Sequence, residues 1–171
     1  MTHHELCLRA AEWLHADFNT KARTEAARGT DNAYQIPSCR WVAVEMVCVG
    51  SPCHPDVFGW GDGTGTGYAG VQIEVKMSHS DFLADRKKAF RDDSYFDLGY
   101  VKYYCCPQGV IKPDELPDEV GLLYENGGVI EVVRVAPCRK DRKPPYEVPF
   151  LASVMRRLGV KPQVFDFRQQ K

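Results

Sequence analysis

The segment Val71–Met77, VQIEVKM, alternates apolar and polar residues at every position. A period of two belongs to an extended strand, whose successive side chains point to opposite faces. Val71, Ile73, Val75 and Met77 therefore share one face, and Gln72, Glu74 and Lys76 share the other. A one-residue slip would exchange the faces, so such a strand specifies its own register in a sheet that buries one side.

Other elements follow from the same kind of reading. Residues 3–18 carry Leu6, Ala10, Trp13, Leu14 and Phe18 at helical spacing, and Thr2 and Glu5 have the spacing of a capping box. Residues 19–40 read as a polar loop. Trp41–Val49, WVAVEMVCV, is almost wholly apolar, as a central strand is, with one charge at Glu45. Pro55–Trp60 reads as a short strand, and 61–70, GDGTGTGYAG, as a flexible connection. A helix starts near Ser78, with Asp81 at capping-box spacing and Phe82, Leu83, Ala89 and Phe90 as its apolar stripe. Val101–Cys106 is a further strand, and 107–117 a proline-punctuated loop with at most one helical turn. Leu122–Tyr124 and Val129–Val135 form a hairpin around Asn126-Gly-Gly. Arg139–Pro145 is a basic loop, and Phe150–Leu158 a last helix stopped by Gly159.

This order predicts an α/β fold, a mixed β-sheet flanked by helices, in one domain over 1–171 with a flexible tail over 160–171. The expected core is Val42, Val44, Val71, Ile73, Val75, Val101 and Tyr103, packed under the first helix through Trp13 and Leu14. A chain of 171 residues is long enough to bury such a core. The formal net charge of −1 argues against a large sequence-independent DNA coat, but not against an enzyme touching DNA over one small basic face. The start lacks a charged segment followed by an apolar run, and no stretch approaches membrane-spanning length. Seven cysteines in irregular spacing fit a reducing compartment, so the expected location is the cytoplasm.

The chemistry concentrates in Pro55-Asp56, seventeen intervening residues, and Glu74-Val75-Lys76. Two carboxylates on neighbouring strands about 4.8 Å apart can share one Mg²⁺ and leave room for waters and a phosphate. Lys76 lies two residues beyond Glu74 on the same face, roughly 6.6 Å along, where an ammonium can orient water or stabilise charge on phosphorus. Each part alone is commonplace: an Asp after a Pro is often a turn residue, and an E-x-K on a strand is often a solvated face. The context raises the signal, because both carboxylates sit at strand-like segments joined by a hairpin-length connection and a capped basic helix follows at once.

The segments IEVKMSHSDFLADRKKAFR and YYCCPQGVIKPDELPDEVGLLYENG, with ELCLRAAEWL and PDVFGW, resemble small bacterial and phage proteins of the PD-(D/E)xK nuclease superfamily, nearest to MmcB-type DNA-repair proteins. The resemblance spans residues 5–135. It implies a restriction-endonuclease-like fold and an Mg²⁺- or Mn²⁺-dependent deoxyribonuclease working in repair or in phage and mobile-element DNA processing. It implies Asp56, Glu74 and the Val75 carbonyl as metal ligands, and Asp56, Glu74 and Lys76 as the catalytic set. DNA is the implied partner, no membrane is implied, and a homodimer stays open because many relatives pair.

Further residues have two readings each. Glu45 interrupts an apolar strand, where an unpaired charge costs several kcal/mol; it is either an additional acid of the site or a strand-end residue paired to an Arg. Glu5 is either the helix-1 acid that many superfamily members carry or half of a capping box. Ser78 suits a cap better than a DNA contact. Arg86, Lys87, Lys88 and Arg91 are either phosphate contacts or a solvated helix face. GDGTGTG lacks the G-K-[ST] ending of a phosphate-binding loop. Cys48, Cys53 and His54 lack the paired spacing of a closed zinc site. Of the neighbours Cys105 and Cys106, alternation predicts one in the core. The readings in competition are a metal-dependent DNA nuclease, a nuclease-fold DNA-binding or scaffolding module with little turnover, and a structural interaction domain in which E-V-K is surface decoration.

Overall fold

The computed structural model describes residues 1–16, 39–47, 54–60, 70–87, 98–139 and 147–159. Helix α1 spans His3–His15, followed by strands β1 (Trp41–Val44), β2 (Val57–Trp60) and β3 (Gly70–Val75). Helix α2 (His79–Arg86) precedes β4 (Val101–Pro107), a 3₁₀ turn at Pro113–Glu115, β5 (Val120–Asn126) and β6 (Val129–Arg134). Helix α3 covers Glu147–Arg157. The six strands form one sheet in sequence order, with β3–β4 and β4–β5 parallel and the other pairs antiparallel. The chain thus has the expected α/β fold, a mixed sheet flanked by helices.

The alternation read in β3 has the predicted phase. Val71, Ile73 and Val75 are fully buried under α1, against Leu6, Ala10, Trp13 and Leu14. Trp13 meets Tyr103 edge-on at 5.9 Å between ring centroids, a geometry that adds about 0.5–1.5 kcal/mol beyond area burial. Gly121 faces Tyr103, and a Cβ there would stand 2.3 Å from the ring, so the large ring requires the small neighbour.

The opposite sheet face is also covered. Phe82, Tyr104, Cys106, Ile111 and Leu122 pack in one cluster, and Met46, Phe58, Leu98 and Phe150 in another. Cys105 and Cys106 therefore both enter the interior, one on each face. Parallel central strands are buried on both sides, which makes period-two alternation a poor guide to solvent exposure in them. Gln72, Glu74 and Lys76, on the polar face of β3, are buried as well.

Three expectations need correction. The first strand ends at Val44 rather than Val49, because Glu45 takes a left-handed backbone conformation with φ of 48°; such a residue breaks the extended run. That strand is also an edge, not a central strand, and Val42 and Val44 are only partly buried. In α2 the buried positions are Phe82 and Asp85, while Leu83 is exposed. The expected helical positions Phe18, Ala89 and Phe90, the 61–67 glycine run and the 160–171 tail lie outside the described residues.

Arg134 ties the β4–β5 crossover down. Its guanidinium donates to the carbonyls of Pro113 (3.0 Å), Leu116 (3.2 Å) and Val120 (2.9 Å). The loop it holds carries Glu115, which accepts from His79 at 2.6 Å through its side chain and from Arg86 at 3.0 Å through its carbonyl. The crossover thereby fixes both ends of α2, the helix that supplies Asp85 to the site below. No helix among the described residues is long and apolar enough to cross a membrane.

Candidate metal centre

Asp56 sits one residue before the last β2–β3 ladder pair, Val57↔Ile73. Beyond that pair, β3 runs on without a main-chain partner from β2, and the Val75 N–H donates to Asp56 Oδ2 at 2.8 Å instead. The side chain completes the ladder that the main chain has left. On the other side, Glu45 N–H donates to the Asp56 carbonyl at 2.7 Å. Asp56 is thus held at the ends of two strands, with Oδ1 turned toward His3 Nε2 at 3.6 Å.

Glu74 lies on the neighbouring strand and is almost wholly buried. Gln72 Nε2 donates to its Oε1 at 2.8 Å, and Lys76 Nζ stands 3.6 Å from its Oε2. Lys76 is also 3.6 Å from Asp85 Oδ1, and Asp85 accepts from Tyr104 O–H at 2.9 Å. Lys76 therefore lies between two buried carboxylates, each held by a hydrogen-bonding neighbour. Burial pushes the Asp56 carboxyl above its ordinary range and the charge of Glu74 pushes it further; the Val75 N–H, Lys76 and His3 pull it down. Two carboxylates that repel one another while being desolvated form a donor set that a cation relieves. An all-oxygen pair suits hard Mg²⁺.

The N-terminal turn of α1 closes the site. His3 Nδ1 lies 3.5 Å from Glu45 Oε1, and His4 Nδ1 lies 2.6 Å from Glu45 Oε2. Cys7 Sγ is 3.5 Å from His3 Nδ1. Burial, followed by the charges of Asp56, Glu45 and Glu74, pushes the Cys7 thiol up to about 12, so it is protonated at neutral pH. Donor atoms of His3, Cys7 and Asp56 lie within 4.8 Å of one another. A left-handed non-glycine residue beside such a cluster stores on the order of 1–3 kcal/mol, and Glu45 occupies that conformation here.

Of the residues singled out in the sequence, Asp56, Glu74, Val75, Lys76 and Glu45 come together. Glu45 is a strand-end residue, but its partners are His3 and His4 rather than an Arg. Glu5 is not drawn in. Its carboxylate accepts from Thr2 N–H at 2.6 Å in a complete capping box, on an exposed position, and that backbone bond holds its pKa below the usual range. Ser78 caps α2 by accepting from Asp81 N–H. Arg86 is exposed and lies over the Phe82 ring, Lys87 caps the C-terminus of α2, and Lys88 and Arg91 fall outside the described residues, as do Cys48 and Cys53.

The additional site residues are His3, His4, Cys7, Gln72, Asp85 and Tyr104. His3 and Cys7 carry a legible signal, since i and i+4 share a helix face. Gln72 shares the strand face of Glu74. Asp85 is three residues after Phe82, a spacing that marks the buried side of α2.

No family model and no curated protein matches this chain. Among solved structures, the chain is similar to the SPO1766 protein of unknown function from Silicibacter pomeroyi. The two are 26% identical with a TM-score of 0.47, over 73% of this chain and 84% of that one.

Proposed function

We propose that this chain is a divalent-metal-dependent nuclease that hydrolyses phosphodiester bonds of DNA, in repair or in the processing of phage and mobile-element DNA. The observation that carries the reading is the pair Asp56 and Glu74, desolvated together, with Lys76 beside Glu74. A buried set of Gln72, Glu74, Lys76 and Asp85 is costly in an otherwise apolar interior, and Asp56, its carboxyl raised by burial and by the charge of Glu74, is the kind of perturbed group that collects at functional sites. DNA as the substrate rests on the PD-(D/E)xK resemblance.

In this reading Asp56 Oδ1 and Glu74 hold Mg²⁺ or Mn²⁺, with the Val75 carbonyl as a third donor. The ion supplies Lewis-acid polarisation and a lowered pKa for water. Gln72 orients the Glu74 carboxylate, and Val75 N–H orients that of Asp56. Lys76 puts a positive charge beside the metal ligands, where negative charge develops on the phosphoryl group. Asp85, itself held by Tyr104, fixes the ammonium.

A second reading, a nuclease-fold DNA-binding or scaffolding module with little turnover, is favoured by the position of Lys76. Its side chain is 7% exposed and sits between two carboxylates that already balance its charge. Incubation with single-stranded, duplex and branched DNA, with and without Mg²⁺ or Mn²⁺, decides. Metal-dependent cleavage supports the nuclease, binding without cleavage supports the scaffold, and neither supports an interaction domain.

A further inference from the structure

We propose that His3, Cys7 and Asp56 form a second cation site, selective for Zn²⁺, and that zinc bound there takes Asp56 away from Mg²⁺ and so inhibits the protein. The second half rests on the proposed function, through Asp56 as an Mg²⁺ ligand; the first half does not. The donor set is one imidazole nitrogen, one sulfur and one carboxylate oxygen, all within 4.8 Å of one another. Sulfur and imidazole select zinc over magnesium, which takes oxygen.

Tetrahedral zinc bonds of about 2.0–2.3 Å hold neighbouring ligand atoms roughly 3.3–3.8 Å apart. Cys7 Sγ stands 3.5 Å from His3 Nδ1 and Asp56 Oδ1 stands 3.6 Å from His3 Nε2, so the two approach different nitrogens of the ring. One donor atom from each residue lies within 4.8 Å of the others, and side-chain shifts of about an ångström close the set on a single ion through one imidazole nitrogen. His3 and Cys7 are one helical turn apart, so the capped first turn of α1 presents both to the end of β2. Coordination through Nε2 leaves Nδ1 facing Glu45 Oε1 at 3.5 Å, the carboxylate–histidine arrangement that orients zinc ligands. Cys7 is buried, but the His3 side chain is 39% exposed and opens the entry path. Binding releases the Cys7 proton to solvent, leaving the thiolate on the metal.

Competition follows from the two oxygens of Asp56. Oδ2 accepts from the Val75 N–H, Oδ1 is turned to His3, and in the proposed function this same carboxylate holds Mg²⁺.

Co²⁺, a spectroscopic substitute for zinc, tests the site on the full chain. The parent is expected to bind one equivalent with a thiolate-to-metal charge-transfer band that Zn²⁺ erases. Cys7→Ser loses the band, and both it and the half-exposed His3→Asn weaken Zn²⁺ binding by about tenfold or more. Cys53→Ser, which removes a thiol next to His54, keeps the band. Thermal unfolding in chelator checks that each variant is folded, and His3→Asn still tests the site if Cys7→Ser does not fold. A band that survives Cys7→Ser, or equal Zn²⁺ affinity in the parent and His3→Asn, overturns the site. For competition, calorimetry is expected to show Mg²⁺ binding lost in the zinc-loaded parent and retained by Cys7→Ser at the same zinc concentration. Undiminished Mg²⁺ binding in the zinc-loaded parent overturns the inhibition. A parent that binds no Mg²⁺ sinks the proposed function and the competition with it, while the Co²⁺ spectrum still judges the zinc site.

Discussion

Lys76 Nζ stands 3.6 Å from Asp85 Oδ1, with both side chains buried, so the end of a strand and the helix after it are joined by an ion pair largely shielded from water. Removing one partner of a buried pair costs about 3–5 kcal/mol where the other is left uncompensated. Glu74 still faces Lys76 once Asp85 is gone, so Asp85→Ala is expected to lose stability by less than that in denaturant unfolding. Asp85→Asn, which keeps an acceptor for Tyr104 O–H, loses less. Equal losses for the two variants would show that the charge, not the hydrogen bond, matters.

Lys76 and Asp56 separate catalysis from metal binding. Losing a charge that acts on the transition state costs on the order of a hundredfold or more in rate. Lys76→Ala is expected to cleave at that reduced rate while binding Mn²⁺ nearly as the parent does. Asp56→Ala loses both. Cleavage by Lys76→Ala at the parent rate, measured alongside calorimetry, would remove Lys76 from the catalytic set.

The pH dependence of stability reports Asp56. Its folded carboxyl lies above the ordinary 3.8, so the folded state binds the proton more tightly than the unfolded chain. Stability therefore falls as pH rises from that ordinary value through the raised one, and stays lower above it. In chelator near neutral pH, Asp56→Asn is expected to melt higher than the parent, with the gap closing in acid. Mg²⁺ then stabilises the parent by about 2.7 kcal/mol at a hundred times its Kd, and leaves the variant unchanged. A parent that melts higher than Asp56→Asn in chelator contradicts the burial argument.

Gln72 acts on the metal only through Glu74, to which it donates at 2.8 Å. Loss of a partner that orients a ligand typically weakens metal binding 10–100-fold, so Gln72→Leu is expected to bind Mn²⁺ about that much more weakly. Metal affinity equal to the parent's would show that the Lys76 contact alone orients Glu74.

Glu5 belongs to the cap of α1. Glu5→Ala is expected to lower stability slightly, as losing half of an exposed capping box does, with metal affinity and cleavage unchanged. A metal defect larger than its stability defect would return Glu5 to the site.

Local patterns in the chain determined a good deal. The capping boxes and capping-box spacings, the alternation of VQIEVKM and the glycine-bounded hairpin located helices and strands to within a few residues, because they depend on contacts between near neighbours. The same alternation put Glu74 and Lys76 on one face of a strand beside that of Asp56. Tertiary structure decided the rest. It ended β1 at Glu45, where pairing with His3 and His4 and a left-handed backbone replace an extended run. It buried Asp85 because the sheet face above α2 holds Lys76 and Tyr104, neither of which lies near Asp85 in sequence. It brought His3 and Cys7 to Asp56 by packing α1 across the sheet, a long-range contact that their shared helix face does not by itself reveal. Period and capping are written in neighbouring residues; the company a buried charge keeps depends on which distant surfaces the hydrophobic core draws together.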